Sequence, residues 1–448
     1  MNLNEENLIT KKVNLLRSLS RNNNVKGNFY NYNNLLEDIE ECVKKKNGYQ
    51  LSAILKLTKL PVHINVIDNM NENDLRKKIK KVNFLKNYEQ LIVDHFNIIK
   101  ILCNKNSINW EILLSNSCKF LSTFIEIYCD NLWLLPYLLS ICSFLNNIST
   151  LADFYNNNNN KNDIFNEYNE DLNEKNKYTI EVLNSIRGKI GIVKGDVEKH
   201  GGFVILMFQS IKLCMKLNNM QITSSFLKII NSTDINYSYI PKSFIVLFKN
   251  QLGKLYLQKL EYEKAEKEFI WAFSNSKKSR IEFRKKILES LISIRLNKGI
   301  YPPKKLLEKY KLYIYIDIVY SMKRGNIFLY NNVMKNFSKY FFDNGLNECI
   351  EQIHFIVKRN LVKIIVEWWN NLIKDNANKI FKVPINLFHH IFIWAKITQH
   401  HYYLETLCII TSLILFRYIN AYISYDNNIL VLSKNDPFPS LSQTNSSR

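Results

Sequence analysis

The sequence predicts an all-α protein, a tetratricopeptide-like helical solenoid that is capped by a C-terminal winged helix with a small β-hairpin wing. Three observations support this fold class. The 448 residues include only 11 Gly and 8 Pro, which indicates few turns and long helices. A helical-repeat pattern occupies the middle of the chain, and the segment from residue 381 onward has the pattern of two helices followed by a hairpin.

Composition and element order predict five segments. An N-terminal helical region spans 1–154, and the Asn-rich, low-complexity stretch 155–178 is predicted to be a disordered insert because it holds little apolar surface. The helical-repeat part spans 179–372, the winged helix spans 373–439, and 440–448 form a disordered tail.

One helical pair in the repeat part is especially clear. Small and aromatic residues stand at tetratricopeptide offsets: Leu252, Gly253, Tyr256, Tyr262, Ala265, Phe269 and Ala272. Gly253 and Ala265 should let the two helices approach, while Tyr256 and Phe269 fill the space between them. The last long helix is predicted over 346–369, with six core residues: Ile350, Ile353, Val357, Leu361, Ile364 and Trp368.

The winged helix is predicted from a change in periodicity. The first helix has its apolar face at Ile385, Phe388, Ile391 and Phe392. The second, from 402 to 418, has its apolar face at Leu404, Leu407, Cys408, Thr411 and Leu415. A hairpin follows, with a turn at 426–428 between strands around 422–425 and 429–432.

The compartment follows from several weaker signals. Eight cysteines form no C-x-x-C pair and stand among apolar residues, which indicates buried thiols in a reducing compartment. The N-terminus has no apolar signal core. The apolar run 132–145 contains Pro136 and is too short to cross a bilayer, so a buried helix and a soluble, intracellular protein are expected. Residues 76–81, RKKIKK, have the composition of a nuclear-import signal.

The net charge of +21 is distributed unevenly. Residues 1–200 carry 26 Lys+Arg and 23 Asp+Glu, whereas residues 201–448 carry 35 and 17. This lopsided excess is typical of a nucleic-acid footprint. Lys outnumbers Arg 50 to 11 in this Asn- and Ile-rich chain, so part of the excess reflects an AT-biased coding sequence on solvated faces.

Short words of sequence resemble a known family. They are Asn131–Pro136, Leu306–Tyr310, Gly325-Asn326, Arg359–Leu361, Tyr422–Ser424 and the ending Leu430–Pro439, which includes KNDPFP. These resemble the PCI-domain protein 2 family, the PCI subunit of the nuclear transcription-and-mRNA-export complex, related to signalosome and proteasome-lid subunits. The similarity is strongest over about 250–448.

The resemblance implies a PCI architecture and a set of partners. The family's winged helix lies beside that of a larger PCI-type scaffold subunit, and a small acidic disordered protein runs along the PCI subunit. Nuclear pore components and RNA, with DNA as a second candidate, are the other expected partners. The implied location is the nucleus, at the nuclear pore, with a cytoplasmic fraction also allowed.

No catalytic or cofactor motif is recognisable in the sequence. Phosphate-binding loops, a G-x-S-x-G elbow and an H-E-x-x-H pair are all missing, so neither an enzyme nor a cofactor is expected. The pairs His389-His390 and His400-His401 flank the turn between the two winged-helix helices. They lack a carboxylate or cysteine at ligand spacing, which favours ordinary surface histidines over a metal site.

Basic residues of the C-terminal half are the candidate nucleic-acid contacts. Those on the long helix, the winged helix and its approach are Lys358, Arg359, Lys363, Lys379, Lys382, Lys396, Arg417 and Lys434. A second basic run occupies 277–286. For any single lysine a solvated face is the alternative, and charged contacts to phosphates would be blind to base sequence. The second winged-helix helix is too apolar to read base edges, which indicates a protein partner.

Tyrosines interleaved with lysines are candidate anchors for the acidic partner: Tyr310, Tyr313, Tyr315 and Tyr320. The alternative, that they belong to the helical core, is favoured for each residue. Together the signals predict a non-enzymatic scaffold subunit of a nuclear mRNA-export complex that binds RNA or DNA without sequence preference. The alternative is a protein-interaction PCI subunit of a signalosome, proteasome-lid or translation-initiation assembly without nucleic-acid contact.

Overall fold

The structure is a computed structural model that describes residues 32–57, 72–103, 108–160, 175–373, 381–397 and 403–441. Within these ranges the chain is largely helical and has one small sheet. It forms two compact units, Met1–Gln251 and Leu252–Arg448. This division falls inside one helix and differs from the boundaries inferred from composition at 178 and 372, which stay predictions.

The N-terminal unit is built from α-helices. They are α1 (Tyr32–Lys44), α2 (Gly48–Ile54), α3 (Glu72–Lys81), α4 (Glu89–Cys103), α5 (Trp110–Asp130), α6 (Leu135–Asn160), α7 (Lys177–Lys194), α8 (His200–Leu217), α9 (Met220–Asn231) and α10 (Lys242–Gln258), the last of which continues into the second unit. An aromatic cluster of Phe120, Phe124 and Tyr137 packs between α5 and α6. Buried His95 lies against it, with Nδ1 2.9 Å from the Tyr137 hydroxyl.

The polar segment predicted as a disordered insert is helical at both of its ends. Helix α6 continues through Asn160, and Tyr155 stacks on Trp110 with ring centroids 5.3 Å apart. Buried Asp153 accepts hydrogen bonds from the first amides of α7, 2.8 Å from Tyr178 N, and so caps that helix. Residues 161–174 lie outside the described ranges.

One helix in the described ranges has the length and composition to cross a membrane. It covers Leu132–Asn157, with a mean hydropathy of 1.3. Because 61% of this stretch is buried within the protein, it resembles the core helix of a folded domain. The prediction that the run at 132–145 is a buried helix is confirmed.

The C-terminal unit begins with helical hairpins. After α10 come α11 (Tyr262–Asn275), α12 (Ile281–Asn297), α13 (Lys304–Lys309), α14 (Ile314–Arg324), α15 (Ile327–Asp343) and α16 (Asn347–Leu372). The predicted repeat pair is confirmed, since Ala265 and Phe269 are fully buried. A Cβ on Gly253 would lie 2.9 Å from the Phe269 ring, so glycine is what permits this close packing.

Helix α16 has two buried faces rather than the single one predicted. The predicted core positions of its first half are buried: Ile350, Ile353 and Val357. The predicted positions of its second half are half-buried or exposed: Leu361, Ile364 (39%) and Trp368 (49%). Along its second half the buried residues are instead Val362, Ile365 and Val366. Helix α16 packs on α12, α14 and α15, and it also contacts the winged helix, where Phe355 stacks on Tyr418 at 6.0 Å.

The winged helix is confirmed, with one strand that the sequence did not reveal. Strand β1 (Lys382–Pro384) precedes α17 (Ile385–Trp394) and α18 (Tyr403–Leu415), and the hairpin β2 (Ala421–Ser424) and β3 (Ile429–Leu432) follows. The sheet is antiparallel in the order β1-β3-β2. With α16 in front of β1, this is the full element order of a winged helix. The helical fold class with a small C-terminal sheet is therefore confirmed.

The apolar face predicted for α18 is wrong. Leu404, Cys408 and Leu415 are exposed, whereas Thr406, Ile410 and Leu413 are buried. Helix α18 carries aliphatic residues all round, so spacing alone allows either face to be chosen. For α17 the predicted positions 385, 388 and 392 are buried as expected.

Candidate nucleic-acid interface

The sheet register brings three of the predicted contact residues to one end of the winged helix. Lys382 begins β1, and Lys434 follows β3 by two residues. Because the two strands are antiparallel, both positions lie at the same end of the sheet. The start of β2 also faces the end of β3, and Arg417 lies just before β2. All three side chains are exposed. We refer to Lys382, Arg417 and Lys434 as the sheet-end cluster.

Helix termination determines the positions of two basic residues. Arg417 follows α18 and Lys396 follows α17, both with left-handed backbone (φ 56 and 52). Each closes its helix through its own amide, which donates to Ile414 O at 2.9 Å and to Ile393 O at 3.0 Å respectively. A cation at a helix C-terminus is electrostatically favourable, so the basic side chains suit these positions.

Arg359 is a structural residue and does not belong to the interface. Only 8% of its surface is exposed, and burial lowers the pKa of its guanidinium from the ordinary value. Its nitrogens donate to the carbonyl oxygens of Tyr418 (3.1 Å), Phe438 (3.1 Å) and Pro439 (2.7 Å). With these bonds made inside the protein, the predicted phosphate contact by Arg359 is corrected.

The ending KNDPFP is held against the fold by main-chain acceptors. Besides the two carbonyls bound by Arg359, Pro437 O accepts from Asn420 N at 3.0 Å, and Asp436 O accepts from Asn420 Nδ2 at 2.8 Å. Buried Leu441, predicted to lie in a disordered tail, packs next to Gly299. The segment therefore seals one side of the winged helix, and residues 442–448 lie outside the described ranges.

Two further motifs that carry the resemblance, Gly325-Asn326 and Arg359–Leu361, meet at α16. Gly325 closes α14 with φ +60, and a Cβ there would lie 2.6 Å from the Leu361 backbone. Asn360 Nδ2 donates to Met322 O at 2.8 Å, and Asn326 caps α15 through Leu329 N at 3.0 Å. Gly325-Asn326, Arg359–Leu361 and the C-terminal ending are therefore positions where α16 is joined to neighbouring helices or to the winged helix.

The remaining predicted contacts are unlike one another. Lys358 is half-buried, and burial lowers the pKa of its ammonium group. Lys363 is exposed and lies 3.8 Å from the Glu367 carboxylate. Lys396 is exposed, with Nζ 5.9 Å from the centre of the Phe328 ring. Lys379 lies outside the described residues. Of the eight predicted contacts, the strand register places Lys382 and Lys434 at one end of the sheet, where Arg417 precedes β2.

Helix α18 and its surroundings offer apolar surface to solvent. The helix contains a single charged residue, Glu405, and no basic one. Leu404 and Leu415 are 69% and 74% exposed, and Trp394 at the end of α17 is 84% exposed. Such a surface cannot hydrogen-bond base edges in the manner of a recognition helix.

The winged helix carries little of the positive charge of the C-terminal half. Residues 252–372 include 23 Lys+Arg and 12 Asp+Glu, whereas residues 373–439 include 6 and 4. The excess therefore lies on the helical hairpins. In the basic run at 277–286, Lys277, Lys278 and Arg280 are exposed, but Arg284 turns inward and donates to Ser276 O at 2.8 Å.

The four tyrosines considered as anchors for an acidic partner differ in burial. Tyr310 and Tyr315 belong to the core, while Tyr313 and Tyr320 are 58% and 51% exposed. Sequence reasoning missed two exposed aromatics on α15, Phe328 and Phe342, although their spacing of fourteen residues places them on one helical face.

The possible import signal is part of a folded helix. Residues 76–81 lie in α3, where Ile79 is fully buried and Arg76 pairs with Glu72 at 2.8 Å. An extended import peptide would require this helix to unfold. Among the histidines, His389 Nδ1 lies 3.0 Å from Thr406 Oγ1. The described residues contain no group of three or more His, Cys, Asp or Glu side chains able to hold a metal, and His400 and His401 lie outside them.

Comparison with known proteins finds relatives that are named as PCI-domain proteins. No family model matches the chain. PCI domain-containing protein 2 homologues from Dictyostelium discoideum and Drosophila melanogaster are 30% and 25% identical, over 52% and 54% of this chain and 52% and 59% of theirs. PCI domain-containing protein 2 of Xenopus laevis is 21% identical over 92% of this chain and 98% of its own. The chain is related to the PCI-domain protein 2 family.

In most of these alignments the chain spans only about half to two-thirds of the curated PCI relative. PCI-domain proteins are generally scaffold proteins and not enzymes. The helical hairpins that lead into a winged helix agree with a PCI architecture. Within it, the sheet-end cluster and the apolar outer face of α18 are the two surfaces of the winged helix with chemistry suited to binding.

Proposed function

We propose that the protein is a non-enzymatic scaffold subunit of a nuclear complex that couples transcription to mRNA export. Its winged helix would contribute phosphate contacts to a nucleic-acid surface that tolerates many sequences. The observation that carries the proposal is the sheet-end cluster beside a second helix without any basic residue. Exposed cations provide affinity for phosphates, and a helix without donors for base edges provides no sequence reading.

The proposal includes protein partners because the outer face of α18 is apolar. Leu404, Leu415 and Trp394 expose large side chains that a protein surface would cover. The proposed partners are a larger PCI-type export scaffold, a small acidic disordered protein and nuclear pore components, with RNA or DNA as the nucleic acid. Neither a membrane nor a small-molecule substrate takes part, and the proposed location is the nucleus, at the pore, with a cytoplasmic fraction.

The test of nucleic-acid contact is a charge reversal with a matched control. The variant Lys382→Glu, Arg417→Glu, Lys434→Glu removes the cluster, and Lys277→Glu, Lys278→Glu, Arg280→Glu makes the same change in net charge elsewhere on the unit. In fluorescence anisotropy with RNA, the first variant should bind more weakly than the second. Its slope of log K against log salt should fall by about 2, because each of three phosphate contacts contributes about 0.7 on a single strand.

Two results would contradict the proposal. Equal losses in the two variants would indicate a general effect of net charge, and unchanged binding in the first would remove the cluster from the interface.

The second candidate function is a protein-interaction PCI subunit of a signalosome, proteasome-lid or translation-initiation assembly. It is favoured by the apolar exposure of α18, which by itself requires no nucleic acid. Purification of the tagged protein from its own cells distinguishes the two. Recovery of a larger PCI-type scaffold with pore components supports the export complex, and recovery of lid, signalosome or initiation-factor subunits supports the alternative.

A further inference from the structure

Helix α15 exposes two aromatic and two basic side chains along one line. With 3.6 residues per turn, Phe328, Lys335, Lys339 and Phe342 fall within a strip about 60° wide on the helix surface. All four are exposed, and the two rings are 53% and 73% accessible. The opposite face carries the core residues Tyr330 and Phe341. We refer to the four residues as the α15 stripe.

The charge of this face suits a polyanion. Asp343, at the C-terminal end, is the single acidic residue of α15. Neither Lys335 nor Lys339 forms an ion pair within the described ranges. The exposed amides of Asn331 and Asn332 flank the same strip. Amide side chains both donate and accept hydrogen bonds, so they can pair with base edges.

The α15 stripe extends towards the winged helix. Lys396 reaches over Phe328 from the end of α17, with Nζ 5.9 Å from the ring centre. A cation held about 6 Å above an aromatic ring can contact the phosphate of a nucleotide whose base stacks against that ring. At about 1.5 Å per residue, Phe328 and Phe342 are separated by about 21 Å, which leaves room for several nucleotides.

The spacing favours a nucleic acid over a protein partner. A docked protein buries a contiguous apolar core surrounded by a polar rim. Here the aromatic rings stand at the two ends of the stripe with lysines between them, so they form no contiguous apolar patch. Separate aromatic faces interleaved with cations are the arrangement that binds single-stranded nucleic acid, where bases stack and phosphates meet positive charge.

We infer that the α15 stripe binds single-stranded RNA, with bases stacking on Phe328 and Phe342 and phosphates contacting Lys335, Lys339 and Lys396. The inference deepens the proposed function and rests on it, because it adds a strand-binding surface to the phosphate contacts of the sheet-end cluster. Stacking needs unpaired bases, so the stripe discriminates single strands from duplexes.

The test replaces rings with aliphatic side chains in the full-length protein. Phe328→Leu with Phe342→Leu keeps apolar bulk and removes the stacking faces. Phe337→Leu is the matched control, because this residue is 37% exposed on the same helix but lies about half a turn away from the stripe. The probes are a labelled oligo(U) and a duplex RNA of equal length, measured by anisotropy at fixed salt.

The double variant should bind oligo(U) at least about tenfold more weakly, while duplex binding and the control stay unchanged. Lys335→Gln with Lys339→Gln should reduce the salt slope for oligo(U) by about 1.4. Thermal unfolding of each variant checks that α15 is intact.

Several outcomes would overturn the inference. Oligo(U) binding that the double variant retains, equal losses for duplex and single strand, or a wild type that does not bind oligo(U) would each exclude stacking on α15. If an acidic peptide competes with oligo(U) at the stripe and binds the leucine variant normally, the surface is a protein site. The sheet-end variant separates the two proposals: if it alone loses binding, the α15 stripe fails and the proposed function stands. If the phenylalanine variant alone loses binding, the α15 stripe is supported and the sheet-end cluster is excluded from the nucleic-acid surface.

Discussion

The winged helix and the helical hairpins of the C-terminal unit place their basic residues differently. The hairpins carry most of the positive excess, and much of it is solvated, as on the outer face of α15. The winged helix carries few cations and exposes apolar side chains, and its most extensive basic contact comes from α16 through buried Arg359. The comparison shows that the order of helices and strands in a domain does not predict where its charged residues lie. A winged helix can expose mainly apolar side chains and a few cations, while the neighbouring helices carry most of the positive charge.

The comparison predicts its largest effect at Arg359. Arg359→Met should lower the free energy of unfolding of the C-terminal unit by about 3–5 kcal/mol, because three carbonyl oxygens, two of them buried, lose their donor. Urea unfolding would measure the loss, and limited proteolysis should cut first near residues 433–439. Lys363→Met, on the exposed side of the same helix, should change stability by less than about 0.5 kcal/mol. Equal stability of the two variants would mean that the winged helix is held by other contacts.

The hairpin side of α16 is tested at Gly325. Gly325→Ala should cost about 3 kcal/mol, since the new Cβ would lie 2.6 Å from the Leu361 backbone at a position with φ +60. Gly345→Ala is the matched control, because its φ is +67 but no atom lies within 4 Å of the added Cβ. It should cost about 1 kcal/mol from backbone strain alone. Thermal or urea unfolding of both variants isolates the close approach, and similar losses would show that α14 and α16 can separate without cost.

A smaller, pH-dependent effect is expected at His354, on the first half of α16. Burial, with the nearby Lys358 charge, lowers its pKa to about 4, and its ring stacks on Tyr330 at 5.6 Å. Because the unfolded chain protonates near 6.5, stability is fully present above that pH and is lost as pH falls towards 4. His354→Gln should remove about 1–2 kcal/mol of the decrease between pH 7 and pH 5. Unfolding curves at both pH values would show it, and an unchanged decrease in the variant would contradict this assignment.

Parts of this fold could be predicted because local spacing alone determines them. The repeat pair could be predicted from Gly253, Ala265 and Phe269, because small and large residues at this spacing are typical of two closely packed helices. The hairpin followed from its polar turn between β-branched and aromatic residues. For α18 the prediction failed, since apolar residues all round leave the buried side undetermined until neighbouring elements are known.

The site was harder to predict because its chemistry depends on distant partners. Arg359 has the sequence pattern of a surface cation, and its acceptors stand 79 and 80 residues further on. Strand β1 could not be predicted, because it has only three residues and so carries no periodic pattern of apolar residues. The residues of the sheet-end cluster were predicted one by one, but only the strand register shows that Lys382, Arg417 and Lys434 lie at the same end of the sheet.

The long sequence separation between Arg359 and its acceptors has a consequence for synthesis. On the ribosome, α16 emerges and folds on its hairpins before Phe438 and Pro439 have been translated. During that interval the guanidinium is hydrated and the face of α16 that holds Phe355 lies open. A message truncated after α18 would therefore yield a chain with an uncovered apolar edge beside a cation. Such a nascent product would expose apolar surface of the kind that chaperones and proteases recognise until the segment around Phe438 and Pro439 covers it.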